Sequence, residues 1–250
     1  MATIDVERRG AVAVVTLSNP SRRNALTLEM RQAVLEAFRA FAGDEDVRAV
    51  VVAGDGDAFC AGADVGAMGG RDLAGARARM KTMHAMIRAV HGLDKPVVAA
   101  VQGLAIGIGC TMLMHADIIY AAPEARFRLP FVDLGVVPEL GSSLLLPWLA
   151  GHHRASELML LGEFFDAATA REIGLVNRLV PLPELLPNAT ATAAALARKP
   201  AEALRLTKSL LRRDRPALLA RMEEERVLFA RQLASPETQA IMAGVLKPKA

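Results

Sequence analysis

The chain has 250 residues, 52% of them hydrophobic and 23% charged, with a formal net charge of +3. That balance describes one large ordered domain, or one domain with an appendage, and it excludes a disordered chain. Basic residues are interspersed with acids, as in RMEEER at 221–226, which argues against a dedicated nucleic-acid binder.

IDVERRG (4–10) and AVAVVTL (11–17) read as paired strands joined at Gly10. Thr27 to Phe41 reads as an amphipathic helix with Met30, Val34, Leu35, Phe38 and Phe41 on one face. RAVVVAG (48–54) is a short apolar strand of the kind buried on both faces. The turn-rich GDGDAFCAGAD (54–64) follows, then a helix through Arg79 to Val90 carrying Met80, Met83, Ile87 and Val90. PVVAAVQG (96–103) is another buried strand, GIGCTMLMHA (107–116) a short helix, and DIIYAA (117–122) a further strand. Alternation of strands and helices predicts an α/β domain with mostly parallel pairing. Beyond about residue 142 the pattern turns helical, interrupted by the strand candidate LVNRLV (175–180). From Ala189 onward only helices are expected, broken at Pro200, Pro216 and Pro236. That short amphipathic tail is expected to pack on a neighbour or on the main domain rather than fold alone.

Several sites fail on their spacing. GLAIGIGC (103–110) lacks a dinucleotide fingerprint, because after Gly107 and Gly109 the third glycine position holds Met112. GSS at 141–143 is no nucleophile elbow. Cys60 and Cys110 form neither a disulfide framework nor a zinc spacing, and no HExxH is present, so no metal is expected. The uncharged run from Pro96 to Met114 is about as long as a membrane span, but it is rich in glycine and holds Gln102. A strand, turn and helix fit it better. The N-terminus MATIDVERRG has no apolar leader, so a cytoplasmic protein is expected.

VVPELGSSLLLP (136–147) holds a single charge, Glu139. One reading is a helix-initiating acid behind Pro138; the other is a functional carboxylate in an apolar pocket. CAGAD (60–64) and AIGIG (105–109) place small residues where strand meets helix, exposing backbone N–H groups to close approach. Two sets of N–H donors and one buried base are the parts needed to make and hold an enolate.

NPSRRNAL (19–26), VRAVVVAGDGDAFCAGADV (47–65), KPVVAAVQGLAIGIGC (95–110), ADIIYAAPEARFRLPFVDLGVVPELGSSLLLP (116–147) and LGEFFDAATAREIGLVNRLVP (161–181) together carry a resemblance. From about Val12 to Leu186 the chain resembles the crotonase, or enoyl-CoA hydratase/isomerase, superfamily. The resemblance implies a crotonase-like spiral of stacked ββα units. It gives an acyl-CoA-binding catalytic core at 1–188 and a C-terminal helical oligomerisation region at 189–250, used for homotrimers or a dimer of trimers. It implies an acyl-CoA thioester substrate of fatty acid metabolism, such as β-oxidation. No separate cofactor is expected, coenzyme A being part of the substrate, and no nucleic-acid or membrane partner.

By the same likeness, Ala63 and Ile108 stand at oxyanion-hole positions. Arg22, Arg23 and Ala25 of the first turn and Ala61, Gly62, Asp64 and Val65 line the coenzyme A and pantetheine path. Hydratases of the family hold water with two glutamates, and Thr111 and Phe131 stand in those places here. Glu139 in PELGSS, after Pro138, matches the single acid of the family's enoyl-CoA isomerases. The expected activity is the shift of a 3-enoyl-CoA double bond to 2-enoyl-CoA through Glu139. The alternatives are an enoyl-CoA hydratase and a non-catalytic acyl-CoA-binding subunit.

Overall fold

The computed structural model describes residues 2–64, 73–212 and 214–245. The first hairpin forms as expected: β1 (Thr3–Arg9) pairs antiparallel with β2 (Val12–Ser18), and Gly10 turns the chain with φ +62°. Helix α1 (Leu28–Gly43) starts on a Thr27 cap, whose side chain accepts the Met30 N–H, and its expected apolar face is buried. Next come β3 (Ala49–Gly54), α2 (Leu73–Gly92) and β4 (Val97–Val101). Helix α2 therefore runs further toward the N-terminus than the segment expected from Arg79.

The chain continues through β5 (Leu104–Ile106), the one-turn α3 (Ile108–Thr111), β6 (Ile118–Ala121) and β7 (Arg126–Arg128). Two helices, α4 (Ser142–Ala150) and α5 (His152–Leu161), lead to β8 (Phe165–Asp166), α6 (Ala167–Glu172) and β9 (Arg178–Leu179). Four helices close the chain: α7 (Leu182–Ala197), α8 (Ala201–Leu211), α9 (Arg215–Leu233) and α10 (Pro236–Val245).

Six strands form one sheet in the order β1-β2-β3-β4-β6-β9, parallel except for the β1–β2 pair. Because side chains alternate along a strand, the sheet buries two different sets of residues. Val50, Val52, Val97 and Ala99 face the α1–α2 side, and Val51, Val98 and Ala100 face the other. Helix α7 covers that second face with Leu185 and then Ala189, Ala193 and Ala197, three small side chains at four-residue spacing that let the helix lie close. The expected boundary after residue 188 lies within α7, whose Ala189, Ala193 and Ala197 are in this chain's own core.

A second sheet, β5-β7-β8, stands beside the first. Its strands are two or three residues long, too short to leave a periodic trace in the sequence. Its strand β7 fastens the start of the turn at 107–109, where the Gly107 N–H donates to Arg128 O (2.9 Å). Among the described residues no helix is long and apolar enough to cross a membrane.

Candidate active site

The two small-residue turns meet through backbone pairing. Cys60 N–H donates to Leu104 O (2.8 Å) and Ile106 N–H to Cys60 O (3.0 Å), forming an isolated bridge between Cys60 and Ala105. The approach is so close that a Cβ on Gly109 would lie 2.2 Å from Cys60 O, so only glycine fits there. The first turn joins the same assembly: Leu26 N–H donates to Gly62 O (2.8 Å), and Asp64 N–H to Leu26 O (3.1 Å). Bonding on either side of Ala63 and Ile108 leaves those two residues between fixed points. Among the described residues, no backbone carbonyl takes the N–H of Ala63 or of Ile108.

The NPSRRNAL turn is fastened by its asparagines. Asn24 is fully buried with φ +58°, and its amide donates to Asp55 O and Ala58 O, both at 2.7 Å. Its oxygen accepts the Asn19 N–H (2.8 Å), and the Asn19 amide donates to Ala25 O (2.9 Å). Ala25 is buried, while Arg22 and Arg23 extend into solvent. Arg22 stands 3.9 Å from the half-buried Asp64.

The two turns, α1, α2, the 130–139 segment, α9 and α10 enclose a cavity of about 110 Å³. Ala61, Gly62, Ala63, Ile108 and Phe131 line it, and Glu139 is the only acid among the described lining residues. Of the remaining expected site residues, Val65 lies outside the described residues. Thr111 is buried on α3 and Pro138 half-buried, and neither is among the described residues lining the cavity. Asp133 turns away, paired with Arg128 at 2.8 Å.

Glu139 does not start a helix. Helix α4 begins at Ser142 with Gly141 as its cap, so the helix-initiating reading of Glu139 fails. Its side chain is 4% exposed, and Oε2 has no hydrogen-bond partner among the described residues. Burial pushes its carboxyl from the ordinary 4.5 up to about 8; the Arg31 guanidinium opposes this and the Glu225 carboxylate adds to it.

Sequence reasoning missed the cations and the C-terminal wall. Arg31 is buried on α1, where Nε and Nη2 donate to Leu26 O at 3.3 and 3.1 Å, and it lines the cavity with Arg79 of α2. A readable signal existed: Arg31, Val34, Leu35 and Phe38 have the spacing of one buried helical stripe. Phe229 and Leu233 of α9 and Met242 of α10 close the cavity from far along the chain.

Residues 7–246 match the family described as enoyl-CoA hydratase/isomerase. The chain belongs to this family. A probable enoyl-CoA hydratase of Mycobacterium tuberculosis (strain CDC 1551 / Oshkosh) is 35% identical over 99% of this chain and 96% of its own. The 2,3-dehydroadipyl-CoA hydratase of Escherichia coli (strain K12) is 34% identical over 92% of this chain and 89% of its own. The crystal structure of an enoyl-CoA hydratase/isomerase from Pseudoalteromonas atlantica T6c superposes with a TM-score of 0.91 at 33% identity, covering 99% of this chain and 98% of that one. The fold is therefore the crotonase fold with a C-terminal helical region, and the protein is an acyl-CoA enzyme of the hydratase/isomerase family.

Proposed function

We propose that this enzyme is an enoyl-CoA isomerase, moving the double bond of a 3-enoyl-CoA to the 2-position. The carboxylate of Glu139 removes a proton from the α-carbon, and the electron pair delocalises over the dienolate onto the thioester oxygen. That oxygen rests on the N–H groups of Ala63 and Ile108. The carboxylic acid so formed on Glu139 then returns its proton to the γ-carbon, and the double bond settles between the α- and β-carbons. One base suffices, because the proton that leaves is the proton that returns.

The observation that carries this reading is that Glu139 is the only acid among the described residues lining a cavity that Phe131 also lines. Phe131 cannot act as a carboxylate, and neither can Thr111. A buried carboxyl titrating at about 8 is a stronger base than an exposed one, suited to a weakly acidic carbon. Each N–H aimed at a developing oxyanion contributes about 3–4 kcal/mol to the transition state.

The same proposal places the coenzyme A phosphates near Arg22 and Arg23 and the pantetheine along Ala25, Ala61, Gly62 and Asp64, with no separate cofactor. It extends to self-association as a homotrimer or dimer of trimers, for which the exposed Leu206, Leu210 and Leu211 of α8 offer apolar surface. A second reading, hydration of 2-enoyl-CoA, is favoured by the names of the relatives.

Glu139→Gln tests the base. Turnover of a 3-enoyl-CoA should fall about 10²–10⁴-fold while coenzyme A thioester binding persists. Near-native turnover in this variant would remove Glu139 from the reaction.

A further inference from the structure

Glu225 of α9 is 4% exposed and stands among acids in RMEEER, yet it is the group that caps α4. Its Oε2 accepts the Gly141 N–H at 2.5 Å, and its Oε1 accepts the Ser143 N–H at 3.0 Å and the Ser143 hydroxyl at 2.5 Å. Gly141 has no side chain with which to cap the helix, so an anion from another helix takes that place.

The turn held in this way follows directly on Glu139. Leu140 and Gly141 both adopt left-handed backbone, with φ +61° and +78°, a conformation unfavourable to leucine. Such a turn persists only when its surroundings over-determine it. On one side, His115 Nε2–H donates to Leu140 O at 2.8 Å; on the other, Glu225 takes the Gly141 and Ser143 N–H groups. Leu218 of α9 packs so near that a Cβ on Gly141 would lie 2.2 Å from its Cδ1. The direction of the Glu139 side chain is set by the backbone that these contacts fix.

We propose that Glu225 is a positioning residue for Glu139, holding the turn that aims the base into the cavity and making the C-terminal helices part of the catalytic apparatus. The inference rests on reading Glu139 as the base. Arg31 of α1, Arg79 of α2 and the neutral His115 surround the Glu139 turn, and Arg221 and Ser143 surround Glu225. The negative charge of Glu225 holds the Glu139 carboxyl higher than burial alone would.

Glu225→Gln keeps the shape and an acceptor for Ser143 but removes the charge and the anionic acceptor for Gly141. In an assay of double-bond migration in 3-enoyl-CoA from about pH 6 to 9, kcat should fall about 10- to 100-fold with KM within about threefold. The acid limb of its profile should also move to lower pH. A native kcat would overturn the inference, and so would a lowered kcat with the limb unmoved, since that is all a scaffold residue would give. If circular dichroism finds this variant unfolded, Ser143→Ala, which removes one of the three donors, takes its place: kcat several-fold lower at unchanged KM supports positioning, and native kcat overturns it. Glu139→Gln measured alongside separates the two readings, because its retention of turnover would sink the assignment of the base itself.

Discussion

Replacing Glu139 with glutamine should stabilise the protein while it stops proton transfer. The carboxyl is pushed to about 8 in the folded chain, against 4.5 ordinarily, by burial, and its Oε2 has no partner among the described residues. A folded value above the unfolded one means that the folded state holds a proton the unfolded chain releases. The contribution of this group is fully present below 4.5 and is lost as pH rises through 8. At about 1.4 kcal/mol per unit, the cost of keeping glutamate there is roughly 3 kcal/mol near pH 7 and approaches about 5 kcal/mol above pH 8. Glutamine never ionises, but its amide inherits the same unpartnered site and returns only part of that cost. A gain of about 1–3 kcal/mol at pH 8 is expected, equivalent to roughly 2–4 °C in melting temperature per kcal/mol for a chain of this size. Melting curves of both proteins from about pH 4 to 9 read it directly. The gap should open with rising pH and close below about 4.5. A gap that is absent at pH 8, or equal at every pH, would mean that burial does not hold the Glu139 carboxyl protonated.

Arg31 acts on Glu139 in the opposite sense, so Arg31→Met should move the acid limb of the isomerisation profile to higher pH. Activity should drop several-fold to roughly tenfold near pH 7 and recover in alkali; an equal loss at every pH would assign Arg31 to packing instead. His84, His91 and His115 are buried and held neutral, pushed down by burial to about 4, 3 and 4 from an ordinary 6.5. Their lowered values give stability that is present above 6.5 and lost as pH falls toward 4 and 3, at up to about 1.4 kcal/mol per pH unit for each histidine, and urea titrations across that range should find the loss.

What the sequence conveyed follows from how far each signal reaches along the chain. The strands at 49–54 and 97–101 are continuous apolar runs, and the Met30–Phe41 face has an unbroken helical period, so both were legible from local pattern. Glu139 stood out because it is the only charge in a long apolar run. Arg31 and Glu225 did not, because each sits in a helix with other charges, where a solvated face is the ordinary reading. Their phase betrays them: Leu218, Met222, Glu225 and Phe229 lie on one buried stripe of α9, as Arg31 does on α1. The cavity wall from α9 and α10 depends on contacts between distant parts of the chain, which no periodicity encodes. The motif resemblance supplied the spiral arrangement that alternation of strands and helices cannot choose.

On the proposed reading a single base moves a double bond, where a pair of acids would add water. Incubating the protein with a 3-enoyl-CoA and, separately, with the matching 2-enoyl-CoA, and identifying the products of each, distinguishes the two. The expected result is rapid conversion of the 3-enoyl-CoA to 2-enoyl-CoA and far slower formation of 3-hydroxyacyl-CoA from the second substrate. Rapid hydration of 2-enoyl-CoA with little or no migration of the 3-enoyl double bond would contradict it.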